Sequence, residues 1–261
     1  MTENTRERAA LARWRPGQRW YHPLMSVLVV RLSKLIMNSL NTMTIEGVER
    51  FEALAERGGR GLLTFSNYVS LFDDPLIVSN FSLPRYKSIR WIAADAINFF
   101  GSPFKSWVFT AGKAVPIVRG SGLEQPGLAF LEDRLGEGAW VHIFPEGGRT
   151  RDPRALMSHP FKSGIGRLMT EAQPNALPFY HYGMHEILPV GAKLPRRGRT
   201  VRVLFGDAID CNDGLLHEVM ASAESSEPKG PGLWEALAER MYEVLRQLEI
   251  VIHPAARAAG D

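Results

Sequence analysis

A chain of 261 residues, 45% hydrophobic and 23% charged, is too apolar for a disordered protein and long enough to bury one sizeable core. The single cysteine, Cys211, excludes an internal disulfide framework and fits a reducing compartment, not a secreted protein. The formal net charge is only +3, but residues 1–40 carry seven basic residues against Glu3 and Glu7, a local +5 that leaves −2 for the remainder. Such asymmetry marks a surface that meets anions, either lipid phosphate or nucleic acid.

The first predicted element is the apolar stretch LMSVLVVRLSKLIM (24–37), interrupted by Arg31 and Lys34. A bilayer span needs about 20 mostly apolar residues, so this stretch is too short and too charged for one. No small-residue cleavage site follows it, which argues against a signal peptide. An amphipathic helix lying in the membrane interface fits better. Trp14, Trp20 and Tyr21 would then sit at headgroup depth, with the arginines facing anionic lipid. The competing possibility is an ordinary first helix packed on the core.

Six short runs rich in β-branched and aromatic residues follow as predicted strands: GLLTFS (61–66), IRWIAA (89–94), KAVPIV (113–118), AWVHIF (139–144), ALPFYHY (176–182) and TVRVLF (200–205). GLAFLEDRL (127–135) and FKSGIGRLMTEA (161–172) show helical spacing between them. Alternating strands and helices predict an α/β fold with a largely parallel sheet flanked by helices. ASAESSEPKGPG (221–232) has the composition of a flexible loop. Beyond it, Trp234, Leu237, Ala238, Met241, Leu245 and Leu248 line one face of a C-terminal amphipathic helix. The expected organisation is therefore a basic arm with the interfacial helix (1–40), one α/β domain (41–220), the loop (221–232), and the C-terminal helix with its tail (233–261).

Three of the predicted strands end in loops rich in charge and glycine. The first runs Tyr68-Val-Ser-Leu-Phe-Asp73-Asp74-Pro75, the second Gly112-Lys113 through Arg119-Gly120, and the third Phe144-Pro145-Glu146-Gly147-Gly148-Arg149-Thr150. Ligands of parallel α/β sheets bind outside the carboxyl ends of the strands, so these loops are expected to converge. Arg119 and Arg149 offer planar forks suited to phosphate, and Gly147 and Gly148 let backbone N–H groups approach an anion. Asp74 with Pro75 reads as a helix N-terminus, and Lys113 as a lipid contact or a solvated strand-edge lysine. Trp91 and Trp140 read as core.

In this order the motifs resemble those of the glycerolipid acyltransferases, and within them the tafazzins. SNYVSLFDDP resembles the first motif (histidine, four residues, aspartate), GKAVPIVRG the second, and WVHIFPEGGRT the third and most specific. FKSGIGRLM and LPFYHYGMHEILP add to the resemblance, which runs from about Met37 to Phe205. It implies an acyltransferase fold and a phospholipid–lysophospholipid transacylase that remodels phospholipids of cardiolipin type. It implies no cofactor, although acyl coenzyme A stays open as a donor. The implied partners are membrane phospholipids and lysophospholipids on an anionic membrane surface, with no nucleic acid. The implied location is peripheral, on a cytoplasmic face or an organelle inner membrane. Carried over position by position, Asp73 would orient the base, while Arg119, Glu146, Gly147, Gly148 and Arg149 would hold the glycerophosphate.

Tyr68 departs from that pattern, because it stands where the family has its catalytic histidine. A phenol titrates near 10 against about 6.5 for imidazole, so at neutral pH it donates a hydrogen bond instead of taking a proton. The expected local structure is a phenol donating to Asp73. His142 and His181, the nearest other imidazoles in the motif order, read as structural. Turnover is then weakened or lost, and a non-catalytic lipid-binding protein on the same scaffold is the alternative.

Overall fold

The computed structural model describes residues 3–15, 19–81, 86–189, 191–192, 194–222 and 229–258. Half of the expected flexible loop 221–232, residues 223–228, lies outside the described residues, as does Lys193.

Two helices open the chain, α1 (Glu3–Arg13) and α2 (His22–Leu40), followed by β1 (Thr42–Glu46), α3 (Val48–Arg57) and β2 (Leu62–Phe65). Next comes α4, a π-helical turn (Asp73–Val78) that continues as Ser79–Phe81. Then β3 (Trp91–Asp95), α5 (Ala96–Phe100), α6 (Pro103–Ala111), β4 (Ala114–Ile117), α7 (Pro126–Gly136), β5 (Trp140–Ile143) and α8 (Gly164–Ala172) alternate. The chain ends with β6 (Asn175–Tyr182), α9 (Met184–Ile187), β7 (Thr200–Phe205), β8 (Ile209–Asp210), α10 (Asp213–Ser222), α11 (Pro231–Ile252) and α12 (Pro254–Arg257).

The strands order as β1-β7-β6-β2-β5-β3-β4, with β8 pairing β6. The run from β6 to β4 is parallel throughout, and the sheet reverses where β7 and β8 pair antiparallel with β6. Helices cover both faces, which explains why β2 and β5 are buried at every position instead of alternating. Their side chains still alternate between two cores. Leu63, Phe65, Val141 and Ile143 join α7, α8 and α11 on one face. Leu62, Trp140, Leu177 and Phe179 join α2, α3 and α4 on the other. Gly166 lets α11 touch α8, because a Cβ there would lie 2.1 Å from the Trp234 carbonyl oxygen.

Each of the six expected strands is present, shortened by a residue or two except for β7 and the slightly longer β6. The elements β1, α3 and α10 were not anticipated. The N-terminal element also differs from expectation. At 19 residues, α2 is longer than the stretch 24–37 and is long and apolar enough by composition to cross a membrane. Its narrow face (His22, Ser26, Val30, Ser33, Met37) packs onto the protein, while Leu24, Leu28, Leu32 and Leu35 are exposed. Trp14 is not at a membrane-facing position: its indole N–H donates to the Ala114 carbonyl at 3.1 Å and its ring meets Phe130 edge-on.

Candidate active site

The parallel strands β2, β3, β4 and β5 deliver their carboxyl ends to one side of the sheet, and the loops that follow enclose a cavity of about 1020 Å³. Tyr68, Arg119, Glu146, Gly147 and Gly148 line it, so five of the seven sequence-predicted site residues share one pocket. Asp73 and Arg149 stand outside the lining, with Asp73 fully buried. Apolar side chains from α2, α5, α6, α7 and α8, among them Val30, Phe99, Val108, Leu128 and Leu168, form the rest of the wall.

Glu146 is held by two backbone amides. One carboxylate oxygen accepts the Tyr68 backbone N–H at 2.6 Å and the other the Ser158 N–H at 2.7 Å. Burial pushes its carboxyl up to about 7, against the opposing pull of those two amides. Gly147 follows in the left-handed region (φ 68°), which bends the chain back on itself, and Lys162 lies against it.

The first motif is arranged differently from expectation. Asp73 Oδ2 accepts the backbone N–H groups of Val69 and Ser70 at 2.7 and 2.8 Å, and Oδ1 has no partner among the described residues. The phenol of Tyr68 therefore does not donate to Asp73. Its ring stacks on Phe144 instead, with centroids 4.3 Å apart and planes 12° from parallel. An aspartate five residues on, turned by a tight helical entry, caps its own loop more readily than it reaches a phenol. The imidazole nearest to Asp73 belongs to His181, whose Nε2 is 3.5 Å from Oδ2 and 3.0 Å from the Asn67 carbonyl. Burial holds His181 down to about 3, so it is neutral, and it does not reach the cavity. His142 is likewise buried, with Nδ1 2.9 Å from the Thr64 hydroxyl, and burial keeps it well below the usual histidine range. Burial and the Asp73 carboxylate both raise the Tyr68 phenol further above its ordinary value, and Arg149 and Arg119 offset this only in part.

Two more expectations change. Asp74 does open a helical turn, but its carboxylate is taken by Arg90, which closes on both oxygens and also donates to the Gly112 carbonyl at 2.9 Å. Lys113 is neither solvated nor in reach of lipid. It is 3% exposed, donates to the Tyr86 and Ile89 carbonyls, and lies over the rings of Tyr86 and Trp91. Burial lowers its ammonium to about 7.

Asp95 and Arg90 are the site residues that sequence reasoning missed. Asp95 caps α5 by accepting the Asn98 N–H at 2.7 Å and pairs with Arg119 Nε at 3.0 Å. The signal was present: an acidic residue directly after the apolar run WIAA sits at a strand's carboxyl end, where ligands bind. The Arg119 loop is braced from behind as well. Gln125 bonds both backbone groups of Val118, and buried Arg167 holds the Leu123 carbonyl and Glu132.

A cavity at the carboxyl ends of a parallel sheet, polar at one end and apolar along its walls, defines the class of this α/β protein. Residues 42–182 match the family model described as Acyltransferase. The chain is 36% identical over 188 residues to the protein named taffazin of Dictyostelium discoideum and 32% identical over 246 residues to tafazzin of Drosophila melanogaster, covering 67% and 89% of this chain. It spans 65% and 62% of the length of those relatives. The solved structure of the 1-acyl-sn-glycerophosphate (LPA) acyltransferase PlsC from Thermotoga maritima superposes with a TM-score of 0.60 at 20% identity, covering 87% of this chain and 79% of that one, a likeness of fold alone. The chain thus belongs to the acyltransferase family, and within it is tafazzin-like.

Proposed function

We propose that this chain binds phospholipid and lysophospholipid at a membrane surface and belongs to the chemistry that moves an acyl chain between them, in phospholipid remodelling of cardiolipin type. The observation that carries this is the cavity itself. Its polar end holds Arg119, Glu146 and the Gly147–Gly148 turn, and its apolar wall reaches two exposed side chains, Val29 on α2 and Leu71 in the loop before α4. An amphiphile would place its phosphate at the first and its acyl chain along the second. Leu24, Leu28, Leu32 and Leu35 of α2 with Phe104 and Trp107 of α6 give the surface of these two helices the apolar character of a peripheral membrane contact.

In transacylation a lysolipid hydroxyl attacks the ester carbonyl of a donor phospholipid. A new C–O bond forms, the donor's C–O bond breaks, and one proton passes from the attacking to the leaving oxygen. The reaction draws on no metal or redox cofactor. A base beside the hydroxyl carries the proton, and Tyr68, held as a neutral phenol, does not supply one. The scaffold is therefore competent to bind and position, while turnover is low.

The test is transfer of a labelled acyl chain from phosphatidylcholine to a lysophospholipid in liposomes, by the protein and by Tyr68→His, with acyl coenzyme A as a second donor arm. General-base catalysis is worth about 10²- to 10⁴-fold, so the histidine variant should exceed the parent by that order. If neither transfers acyl chains while both are folded and bind lysolipid, the chain is a non-catalytic lipid binder. If neither binds lipid, the proposal fails outright.

A further inference from the structure

Along the buried stripe of α11, Met241, Leu245 and Ile252 are apolar like the rest, and Glu249 is the one carboxylate. Glutamate is almost never fully buried unless paired, and this one is 1% exposed. Packing the helix needs no charge there, so its partners give the reason. Arg246, one turn earlier, closes on one oxygen. The other accepts the Tyr180 hydroxyl at 3.0 Å and the backbone N–H of Met157 at 2.8 Å. Four residues on, His253 ends the helix, where its Nδ1 accepts the Ala255 N–H and its Nε2 donates to the Arg154 carbonyl at 2.9 Å. The end of α11 thus holds residues 151–160 at two points, a segment with no helix or strand of its own.

That segment is where the main-chain anchors of the candidate site meet. The peptide group between Leu156 and Met157 has both polar atoms taken: its carbonyl accepts the Thr150 hydroxyl at 2.6 Å, and its N–H goes to Glu249. The next amide, that of Ser158, donates to Glu146 at 2.7 Å. Thr150 and Glu146 are also the two residues that hold Tyr68. Thr150 donates its N–H to the Tyr68 carbonyl, and Glu146 accepts the Tyr68 N–H. Two routes, one from each main-chain polar group of Tyr68, therefore converge on residues 156–158, and Glu249 holds the residue between them. Neither Glu249 nor Met157 lines the cavity.

We infer that Glu249 is a positioning residue of this site: through Met157 it fixes Glu146 at the cavity wall and the main chain that carries position 68. It acts across a contact of 92 residues in sequence and touches no substrate. Its bearing on acyl transfer rests on the function proposed above.

Amide hydrogen exchange followed by NMR tests this without turnover. Glu249→Leu removes the acceptor and keeps the helix face apolar. Exchange of the Tyr68 and Ser158 amides should then rise by about tenfold relative to amides of the central strand β5. Glu249→Gln keeps an oxygen for Met157 and Tyr180 and loses only the Arg246 pair, so both amides should exchange as in the parent. Tyr180→Phe removes a different bond to the same carboxylate without freeing Met157, and should leave the ratio unchanged while lowering stability. Glu249→Asp, one methylene shorter, replaces the leucine variant if that does not fold. A second arm measures kinetics in the Tyr68→His background. There Glu249→Leu should lower kcat by about tenfold with KM within about twofold, and Glu249→Gln should restore kcat. Unchanged exchange at Tyr68 and Ser158, or a rise shared equally by Tyr180→Phe, makes Glu249 a stability residue only and overturns this inference, leaving the proposed function standing. A kcat that Glu249→Leu does not alter has the same consequence. If the exchange results hold and Tyr68→His transfers no acyl chain, the proposed function fails and the positioning of Glu146 by Glu249 stands.

Discussion

Glu146 accepts the backbone N–H of Tyr68 at 2.6 Å, so the third motif loop holds the first by its main chain and not by its side chain. The Tyr68 carbonyl is fixed too, accepting the Thr150 N–H at 2.8 Å. Position 68 can therefore exchange imidazole for phenol without moving the loop. Under the function proposed above, a phenol in place of an imidazole at this position bears on proton transfer and not on architecture.

Stability measurements on Tyr68→Phe check this directly. With no bond from the phenol to Asp73, removing the hydroxyl should change the unfolding free energy by less than about 1 kcal/mol. A bond to a buried carboxylate would make the loss about 1.5–3 kcal/mol, because the acceptor would be left unsatisfied. Urea denaturation of the two proteins distinguishes these values, and a loss in the higher range contradicts the geometry described here.

The pair of half-buried Asp74 and buried Arg90 ties the π-helical entry of α4 to the turn before β4. Removing only one partner leaves an uncompensated buried charge, so Asp74→Ala should cost about 3–5 kcal/mol. Arg90→Met in the same chain should restore a substantial part of that loss, since an apolar replacement removes the stranded charge. A double mutant as unstable as the sum of the singles would mean that the two side chains are not coupled.

Glu146 also sets a pH dependence whose sign can be worked out. Its carboxyl is raised from an ordinary 4.5 to about 7, so the folded state binds the proton more tightly than the unfolded chain does. The stabilisation this gives is complete below about pH 4.5 and is lost as pH rises through about 7. At 1.36 kcal/mol per pKa unit the loss is about 3 kcal/mol. Buried Asp73, also raised well above its ordinary value, adds a contribution of the same sign. His142 and His181, depressed by burial, act oppositely below their ordinary 6.5. The informative quantity is accordingly the difference between the parent and Glu146→Gln. Across pH 5 to 8 the variant should lose less stability than the parent, and parallel curves would exclude a raised Glu146.

Much of this site was legible because its parts are local in sequence. Strand ends, glycine turns and the Phe144–Thr150 loop are contiguous, and β2, β3, β4 and β5 are apolar runs that announce themselves. What was not legible depends on packing between distant segments. Asp74 was read as a helix cap because its partner is sixteen residues away, in a strand approach that carries no motif. Lys113 reads from sequence as a lipid contact or a solvated strand-edge lysine because lysines are rarely buried, yet here two carbonyls and two rings receive its ammonium. The Ser158 amide on Glu146 is a backbone group, and no residue type signals it. Trp14 looked like a membrane anchor until β4 supplied an acceptor for its indole.

The apolar surface of α2 and α6 gives the last prediction. Leu28 is 65% exposed and Trp107 41%, and neither side chain belongs to a core cluster. Trp107 donates its indole N–H to the Tyr21 hydroxyl at 2.9 Å, which joins α6 to the start of α2 and makes one continuous face with exposed Leu24 and Leu32. Burying one leucine in a bilayer interface is worth about 1.5–3 kcal/mol, so Leu28→Asp should lower liposome partitioning by at least about tenfold. Trp107→Ser should act in the same direction. Because Leu28 is exposed in the protein, the aspartate variant should unfold at the same urea concentration as the parent, to within about 0.5 kcal/mol. Arg31, exposed on the same helix, should add a salt-dependent attraction to anionic vesicles, weakened in Arg31→Glu and in 0.5 M salt. Flotation with neutral and anionic liposomes measures both contributions. Unchanged partitioning of Leu28→Asp would show that α2 is not the surface that meets the membrane.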